Sequence, residues 1–257
     1  MDSEHFEARM RGQEYFHSLR LLPGAWCIVR VDGRSFSRLS ETHFKKPFDA
    51  QFQDCMIAAA RALLEEMQGL YAYVQSDEIS VLFRPEWNLF DRCVEKIVSI
   101  SAGLASATFS LAAQKAVHFD SRIWMGVDTE SIVDYFRWRQ SDANRNALQN
   151  WCYWTLRQEG MDSHRATQLL EGQSATTKKD LLAVRGIDVE ALPDWQVHGV
   201  GLAWEVYTKT GFNPKRNEKV QTTRRRIQVI ASLPRQEAYD SLLLHLVAAG
   251  ELGPNCA

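Results

Sequence analysis

Four short apolar runs, separated by two long amphipathic stretches, constrain the fold of this chain more than any other feature. Trp26–Val31, Leu70–Val74, Ile79–Phe83 and Ser121–Val127 carry β-branched and aromatic residues, and each has strand character. Between the first two runs, Phe52, Cys55, Met56, Ala59, Ala60, Leu63, Leu64 and Met67 recur at the three-four spacing of one helix face. Between the last two, Val94, Ile97, Val98, Ser101, Ala105, Thr108 and Ala112 do the same. The middle runs are joined by Gln75-Ser76-Asp77-Glu78, a hairpin signal. The order is β-α-β-β-α-β, a ferredoxin-like split unit of the α+β class. Right-handed crossovers make the first two strands parallel and insert the third between them, antiparallel to both.

Outside this unit a short charged helix is expected over residues 4–20, and a polar loop over Gly33–Pro47. From Thr129 to Gly160 the pattern is helical, and Trp138, Trp151 and Trp154, at helical spacings, are expected in the core, with a base-stacking platform as the alternative. Smaller helical pieces cover Ser163–Glu171 and Lys178–Arg185. Two late strands, near Val200–Tyr207 and Arg225–Leu233, flank a basic stretch. Residues 1–128 are expected to form the core unit, and 129–257 a helical and β-hairpin extension packed on it.

With 257 residues and 45% apolar content the chain can bury a sizeable core. Its net charge is −2, so attraction to nucleic acid has to be local. Cys27, Cys55, Cys93, Cys152 and Cys256 form no CxxC pair and are expected as free thiols in a reducing compartment. The N-terminal segment lacks a signal-peptide core, and no stretch approaches the ~18 apolar residues of a membrane span. A cytoplasmic protein without a membrane partner is expected.

Two of the expected strands end in acidic turns, with Asp32 and Asp77 45 residues apart. In this topology the end of the first strand and the turn joining the second and third share one sheet edge, so Asp32, Asp77 and Glu78 meet there. Crowded carboxylates repel, and a divalent cation relieves the repulsion. Asp32 and Asp77 suit ligands of two Mg²⁺ ions, with the Gly33 carbonyl as a further oxygen donor, because Mg²⁺ keeps several waters. Either turn alone is also ordinary turn chemistry. Their convergence is what points to metal-assisted chemistry on phosphates.

The loop Gly33-Arg34-Ser35-Phe36-Ser37 is suited to direct successive backbone N–H groups at a triphosphate, with Lys46 and Ser76 adding contacts. Between Lys209 and Arg226, seven cations (Lys209, Lys215, Arg216, Lys219, Arg224, Arg225 and Arg226) stand against one acid, Glu218. That excess reads either as an RNA phosphate footprint or as a solvated hairpin loop. Arg137, Arg139 and Arg145, with Lys178 and Lys179, would extend an RNA surface. The histidines show no metal-ligand spacing, and no GxSxG or Walker A stretch occurs.

Leu21-Leu22-Pro23-Gly24, Val29-Arg30-Val31-Asp32-Gly33-Arg34-Ser35-Phe36, Lys46-Pro47 and Gln75-Ser76-Asp77-Glu78 resemble, in order and spacing, the tRNA-His guanylyltransferase family. The resemblance continues through Phe119-Asp120-Ser121-Arg122, Trp138-Arg139-Gln140-Ser141-Asp142, Leu170-Glu171-Gly172 and Lys178. It implies a palm-like ferredoxin fold, 3′-to-5′ nucleotide addition to tRNA, two Mg²⁺ ions and a homotetramer. It further implies that Asp32 and Asp77 bind both metals, with the Gly33 carbonyl assisting and Glu78 as their catalytic neighbour. Gly33 to Ser37, Lys46 and Ser76 would then hold nucleoside triphosphate. In the family chemistry ATP or GTP activates a 5′-monophosphate, and the 3′-hydroxyl of an incoming nucleotide attacks the activated end.

The sequence departs from that resemblance at two points. Asn144-Arg145-Asn146-Ala147 stands where eukaryotic members carry His-Ile-Asn-Asn, keeping only Asn146 as a candidate RNA contact. Val197-His198-Gly199 stands where a more cationic element is usual. Both tilt toward the guanylyltransferase-like branch, which repairs 5′-truncated tRNAs on a template. The expected function is a template-dependent 3′–5′ nucleotidyltransferase, with G(−1) addition to tRNA-His as the alternative. A nucleotide cyclase and a non-catalytic RNA-binding protein are the remaining alternatives.

Overall fold

The computed structural model describes residues 3–213 and 217–250. In chain order, α1 (Ser3–Arg11) precedes β1 (Trp26–Gly33), α2 (Phe36–His43) and α3 (Ala50–Glu66). The hairpin β2 (Tyr71–Gln75) and β3 (Glu78–Phe83), then α4 (Val94–Ala113) and β4 (Phe119–Gly126), come next. The long α5 (Thr129–Gln158) leads to three short helices, α6 (Ser163–Leu170), α7 (Ala175–Ala183) and α8 (Asp194–Val197). Paired strands β5 (Val200–Asn213) and β6 (Glu218–Ile230) and helix α9 (Glu237–Ala249) follow.

The structure is α+β on one antiparallel sheet, in the order β4-β1-β3-β2-β5-β6. Strand β3 lies between β1 and β2, which therefore run parallel to each other. Cys27, Val29 and Val31 of β1 pack with α3 and α4 on one face, around Met56, Leu63 and Phe109. Ile28, Tyr71, Tyr73 and Leu82 pack on the other face against Phe136 of α5 and Tyr239 and Leu243 of α9. Strands β2 and β3 are buried along their whole length, which is why Tyr71–Val74 and Val81–Phe83 within them are unbroken apolar runs and not alternating. Asp49 caps α3, accepting from the Gln51 and Phe52 amides at 2.7 and 3.2 Å, and Asp128 caps α5 through the Ser131 amide at 2.8 Å.

Several sequence expectations need correction. The span Gly33–Pro47 is not all loop, because α2 forms within it. Its anchor is Phe36, buried against Phe52, Phe109 and Phe119 with ring centroids at 6.1, 5.0 and 4.9 Å. A helix with so few apolar residues gives little periodicity to read. The N-terminal helix stops at Arg11, well short of residue 20. Helix α4 has a mean hydropathy of 1.4 and is long and apolar enough by composition to cross a membrane, against the expectation that no stretch is. Here it is a crossover helix, burying Ile97, Ser101, Ala105 and Phe109. The four described cysteines are free and buried; Cys256 lies outside the described residues.

Candidate active site

The two acidic turns meet at one sheet edge. In the β1–β3 register Asp32 is opposite Glu78, and the Gly33 amide donates to the Asp77 carbonyl at 2.9 Å. Gly33 is required here, since a Cβ would come within 2.5 Å of the Phe36 ring. Ser76 and Asp77 alone connect β2 to β3, and Ser76 takes a left-handed conformation at φ 52°. Its hydroxyl donates to Asp77 Oδ1 at 3.0 Å. Burial and, to a lesser degree, the Asp32 charge push the Asp77 carboxyl above its ordinary pKa, against the pull of Ser76 and Lys46. Burial lowers the pKa of Lys46, while Glu41 and Asp77 oppose that shift. The Lys46 ammonium donates to Ser40 Oγ at 2.6 Å and lies 5.3 Å from the Trp154 ring centroid.

Two carboxylates and a neighbouring carbonyl form a hard oxygen donor set, which fits Mg²⁺ and leaves the remaining positions to water and phosphate. Among the described residues no group of three or more His, Cys, Asp or Glu side chains is gathered as a metal cluster. Glu78 does not join the pair as a free carboxylate. It is buried and held by Arg139, which donates through Nε at 2.7 Å and a terminal nitrogen at 2.9 Å, with Arg30 3.6 Å away. Arg139 also reaches Asp142 at 3.0 Å, and Asp142 is held in turn by Arg145 at 2.6 Å and Asn146 at 3.3 Å.

This network corrects the assignment of Arg139 to an RNA surface. It is 6% exposed and its guanidinium is spent inside the protein. Arg137 is held by Asp240 on α9, and Arg145 by Asp142, though both remain largely open to solvent. Lys178 is partly buried on α7. The phosphate loop is also narrower than expected, because the Gly33 amide bonds to Asp77 and the Arg34 amide to the His118 carbonyl. Ser35 stands as N-cap of α2 without a side-chain cap, so its side chain does not cover the first-turn amides of Phe36 and Ser37. The Phe36 side chain itself is core.

Two cavities flank the carboxylates. One, of about 320 Å³, is lined by Phe44, Lys46, Phe48, Tyr153, Trp154 and Trp195, and Ser37, Ser76 and Asp77 also border it. The other, of about 280 Å³, is bordered by Asp32, Asp77, Asp142, Asn146, Gln149 and Asn150. Asn150 borders both, so one face of α5 runs past the whole site. Of the three tryptophans expected in the core, Trp154 borders the first cavity, Trp151 is partly buried, and Trp138 is 49% exposed. The aromatic wall is hidden in the sequence because its members come from three separate segments, around Phe44 and Phe48, Tyr153 and Trp154, and Trp195. The Phe44–Phe48 pair and the adjacent Tyr153 and Trp154 are its local signals.

The basic stretch is not a loop between strands. Beyond Ala203, β5 pairs with β6 alone, so Lys209, Lys219, Arg224, Arg225 and Arg226 lie along a two-stranded arm. Strand alternation splits them between faces. Arg224 and Arg226 share a face with Tyr207 and Lys209, while Arg225 and Lys219 share the other with Trp204 and Phe212. Arg225 stacks on Trp204 at 4.1 Å, and Arg226 pairs with Glu205 at 2.6 Å. Lys215 and Arg216 lie outside the described residues.

A family profile described as tRNAHis guanylyltransferase matches residues 7–129, and one described as Thg1 C terminal domain matches residues 130–239. A probable tRNA(His) guanylyltransferase of Mus musculus is 31% identical over 229 residues, covering 82% of this chain and 77% of that protein. The Drosophila melanogaster protein of the same description is 33% identical over 185 residues, covering 67% of this chain and 65% of that protein. The match to tRNA(His) guanylyltransferase 2 of Arabidopsis thaliana, 34% identical, covers 68% of this chain but 35% of that protein. The chain thus spans just under two thirds of the Drosophila relative and about a third of the Arabidopsis one. Among solved structures, the tRNA(His) guanylyltransferase of Saccharomyces cerevisiae matches with a TM-score of 0.67 at 25% identity, covering 74% of this chain and 90% of that one. A bacterial tRNA(His) guanylyltransferase (Thg1)-like protein in complex with ATP gives 0.74 at 23% identity, covering 96% of this chain and 99% of that one.

Proposed function

Because the chain belongs to the tRNA-His guanylyltransferase family, a family of nucleotidyltransferases, we propose that it adds nucleotides in the 3′-to-5′ direction to the 5′ end of truncated tRNA, guided by the opposing strand. The observation that carries this reading is the Asp32–Asp77 edge beside an aromatic cavity of about 320 Å³, within the usual range of small-ligand sites. In this reading residues 1–128 are a palm-like catalytic unit and the rest contributes tRNA contacts. The solved bacterial Thg1-like protein holds ATP in one structure and GTP in another, which supports a purine nucleoside triphosphate here.

The base would lie among Phe44, Phe48 and Trp195, and the triphosphate would run toward Lys46, Ser76 and the uncapped first turn of α2. Asp32, Asp77 and the Gly33 carbonyl would hold Mg²⁺. Bound there, the ions supply charge stabilisation for the phosphates and a more nucleophilic 3′-oxygen. Lys46, its charge partly desolvated beside Asp77, balances phosphate charge without displacing the carboxylates. Glu78 and Arg139 act one layer below, fixing the strand edge from which Asp32 projects.

Arg145 and Asn146, in the segment that replaces the eukaryotic motif, are tied to Asp142. That leaves base pairing with the opposing strand to place the incoming 3′-hydroxyl, and near-attack placement is worth up to roughly 7–11 kcal/mol in well-oriented systems. A tRNA lacking its first nucleotide is expected to receive whichever base complements the one opposite the gap. Supplying each nucleotide singly to tRNAs with all four opposing bases tests this. Equal addition of guanosine opposite every base would replace templated repair with G(−1) addition.

The hairpin arm is proposed to contribute RNA affinity and not chemistry. Changing Arg224, Arg225 and Arg226 to Gln should weaken tRNA binding and flatten its salt dependence. The log–log slope should fall by about 0.7 for each single-strand phosphate that is no longer neutralised. An unchanged slope would mean that these side chains serve only Trp204, Tyr207 and Glu205.

A further inference from the structure

A nucleotidyl transfer joins two nucleotides, and the cavity beside Lys46 accounts for one. Helix α5 presents a second aromatic on the far side of the carboxylates. Trp138 precedes Asp142 by one helical turn, and Asp142 and Asn146 border the cavity that contains Asp32 and Asp77. The indole is 49% exposed, yet its position is fixed. The Tyr135 ring meets it edge-on at 5.7 Å, and the guanidinium carbons of Arg139 and Arg30 lie 4.5 and 5.8 Å from its centroid. Both guanidiniums are themselves anchored by Glu78. A large apolar ring held by two anchored cations and left half open to solvent is not a core residue. Arg122, exposed and held by Asp120 at 2.9 Å, projects from the neighbouring edge strand, opposite Arg30 in the register.

We propose that Trp138 is the stacking platform for the 5′-terminal nucleobase of the acceptor RNA, placing that end against Asp32 and Asp77 from the side opposite the nucleoside triphosphate. This rests on the nucleotidyltransferase reading of the same site. The chemistry it recognises is the flat face of a nucleobase whose phosphate lies toward a guanidinium. Stacking tolerates any base, because each has a π-face, so the platform orders the end without reading its sequence. Trp138 is thereby a positioning residue for the acceptor.

A free nucleotide offers the same chemistry as an RNA end, and a thermodynamic cycle separates them. RNA binding is measured without turnover, for an intact tRNA end and for one whose 5′-terminal nucleotide is abasic, with wild type, Trp138→Ala and Trp138→Phe. Wild type is expected to bind the abasic RNA ~10-fold more weakly than the intact one, the scale of one base–aromatic stack. Trp138→Ala should bind both RNAs alike, and Trp138→Phe should restore most of the difference. Equal binding of the two RNAs by wild type overturns the proposal with no variant needed. A full ~10-fold difference retained in Trp138→Ala overturns it too, since the missing base would then act elsewhere. In a parallel arm ATP affinity should change less than about twofold in Trp138→Ala, which is below the weakest stack. If ATP affinity falls and the RNA difference persists, the platform serves the free nucleotide and the acceptor assignment is wrong. If RNA binds as expected but no nucleotide is added, the platform stands and the proposed reaction fails.

Discussion

Asp77→Ala and Asp32→Ala are each expected to abolish nucleotide addition while leaving the fold in place. Neither carboxylate carries packing, and each would contribute a ligand where charge develops, so losing one should cost about 3–4 kcal/mol or more of transition-state stabilisation. The titration of Asp77 gives a readout independent of turnover. Burial and the Asp32 charge raise its pKa, so without metal the folded state holds this proton more tightly than the unfolded chain does. Stability attributable to Asp77 is therefore present at low pH and lost as pH rises through the raised value. Asp77→Asn removes that loss. At neutral pH without Mg²⁺ it is expected to melt at or above wild type, whereas added Mg²⁺ should raise the wild-type Tm and leave the variant nearly unmoved. Activity near wild type at saturating Mg²⁺, or an undiminished Mg²⁺ shift in Asp77→Asn, would remove the metal assignment.

The convergence behind that prediction is legible in the amino-acid order alone, for a physical reason. Period and length separate the two helices from the four strands, and right-handed crossover then leaves one arrangement of β1, β2 and β3. Asp32 and Asp77 follow from connectivity. Side-chain commitment is not legible. Nothing local to Glu78 or Arg139, 61 positions apart in sequence, says that they are joined by two hydrogen bonds. A count of cations likewise cannot tell Arg139, spent inside, from Arg122, open to solvent. Strand alternation hides the arrangement of the basic stretch, since a run read as one patch distributes over two faces once it is extended. The aromatic cavity is invisible because Phe44, Trp154 and Trp195 converge only through tertiary packing.

Arg139→Met is expected to be the most destabilising single change among the site residues. Side-chain exposure is 7% for Arg139 and 10% for Glu78, so the variant strands a buried carboxylate with only Arg30 at 3.6 Å to offset it. Breaking a buried pair from one side typically costs about 3–5 kcal/mol, and for a chain of this size that corresponds to a Tm drop of roughly 6–20 °C. The loss should depend on pH. Burial already raises the Glu78 carboxyl against the opposing pull of Arg139 and Arg30, and without Arg139 the rise must be larger. A folded-state pKa above the unfolded value means that stability falls as pH increases through it, so acidification should narrow the gap to wild type. Adding Glu78→Gln to Arg139→Met removes the stranded charge and should recover most of the lost stability, since the two residues form one unit and their effects cannot add. Thermal melts of the single and double variants at two pH values test all three statements. A single variant melting within about 2 °C of wild type would mean that the pair contributes under ~1 kcal/mol, and that Asp32 is held in place by the sheet register alone.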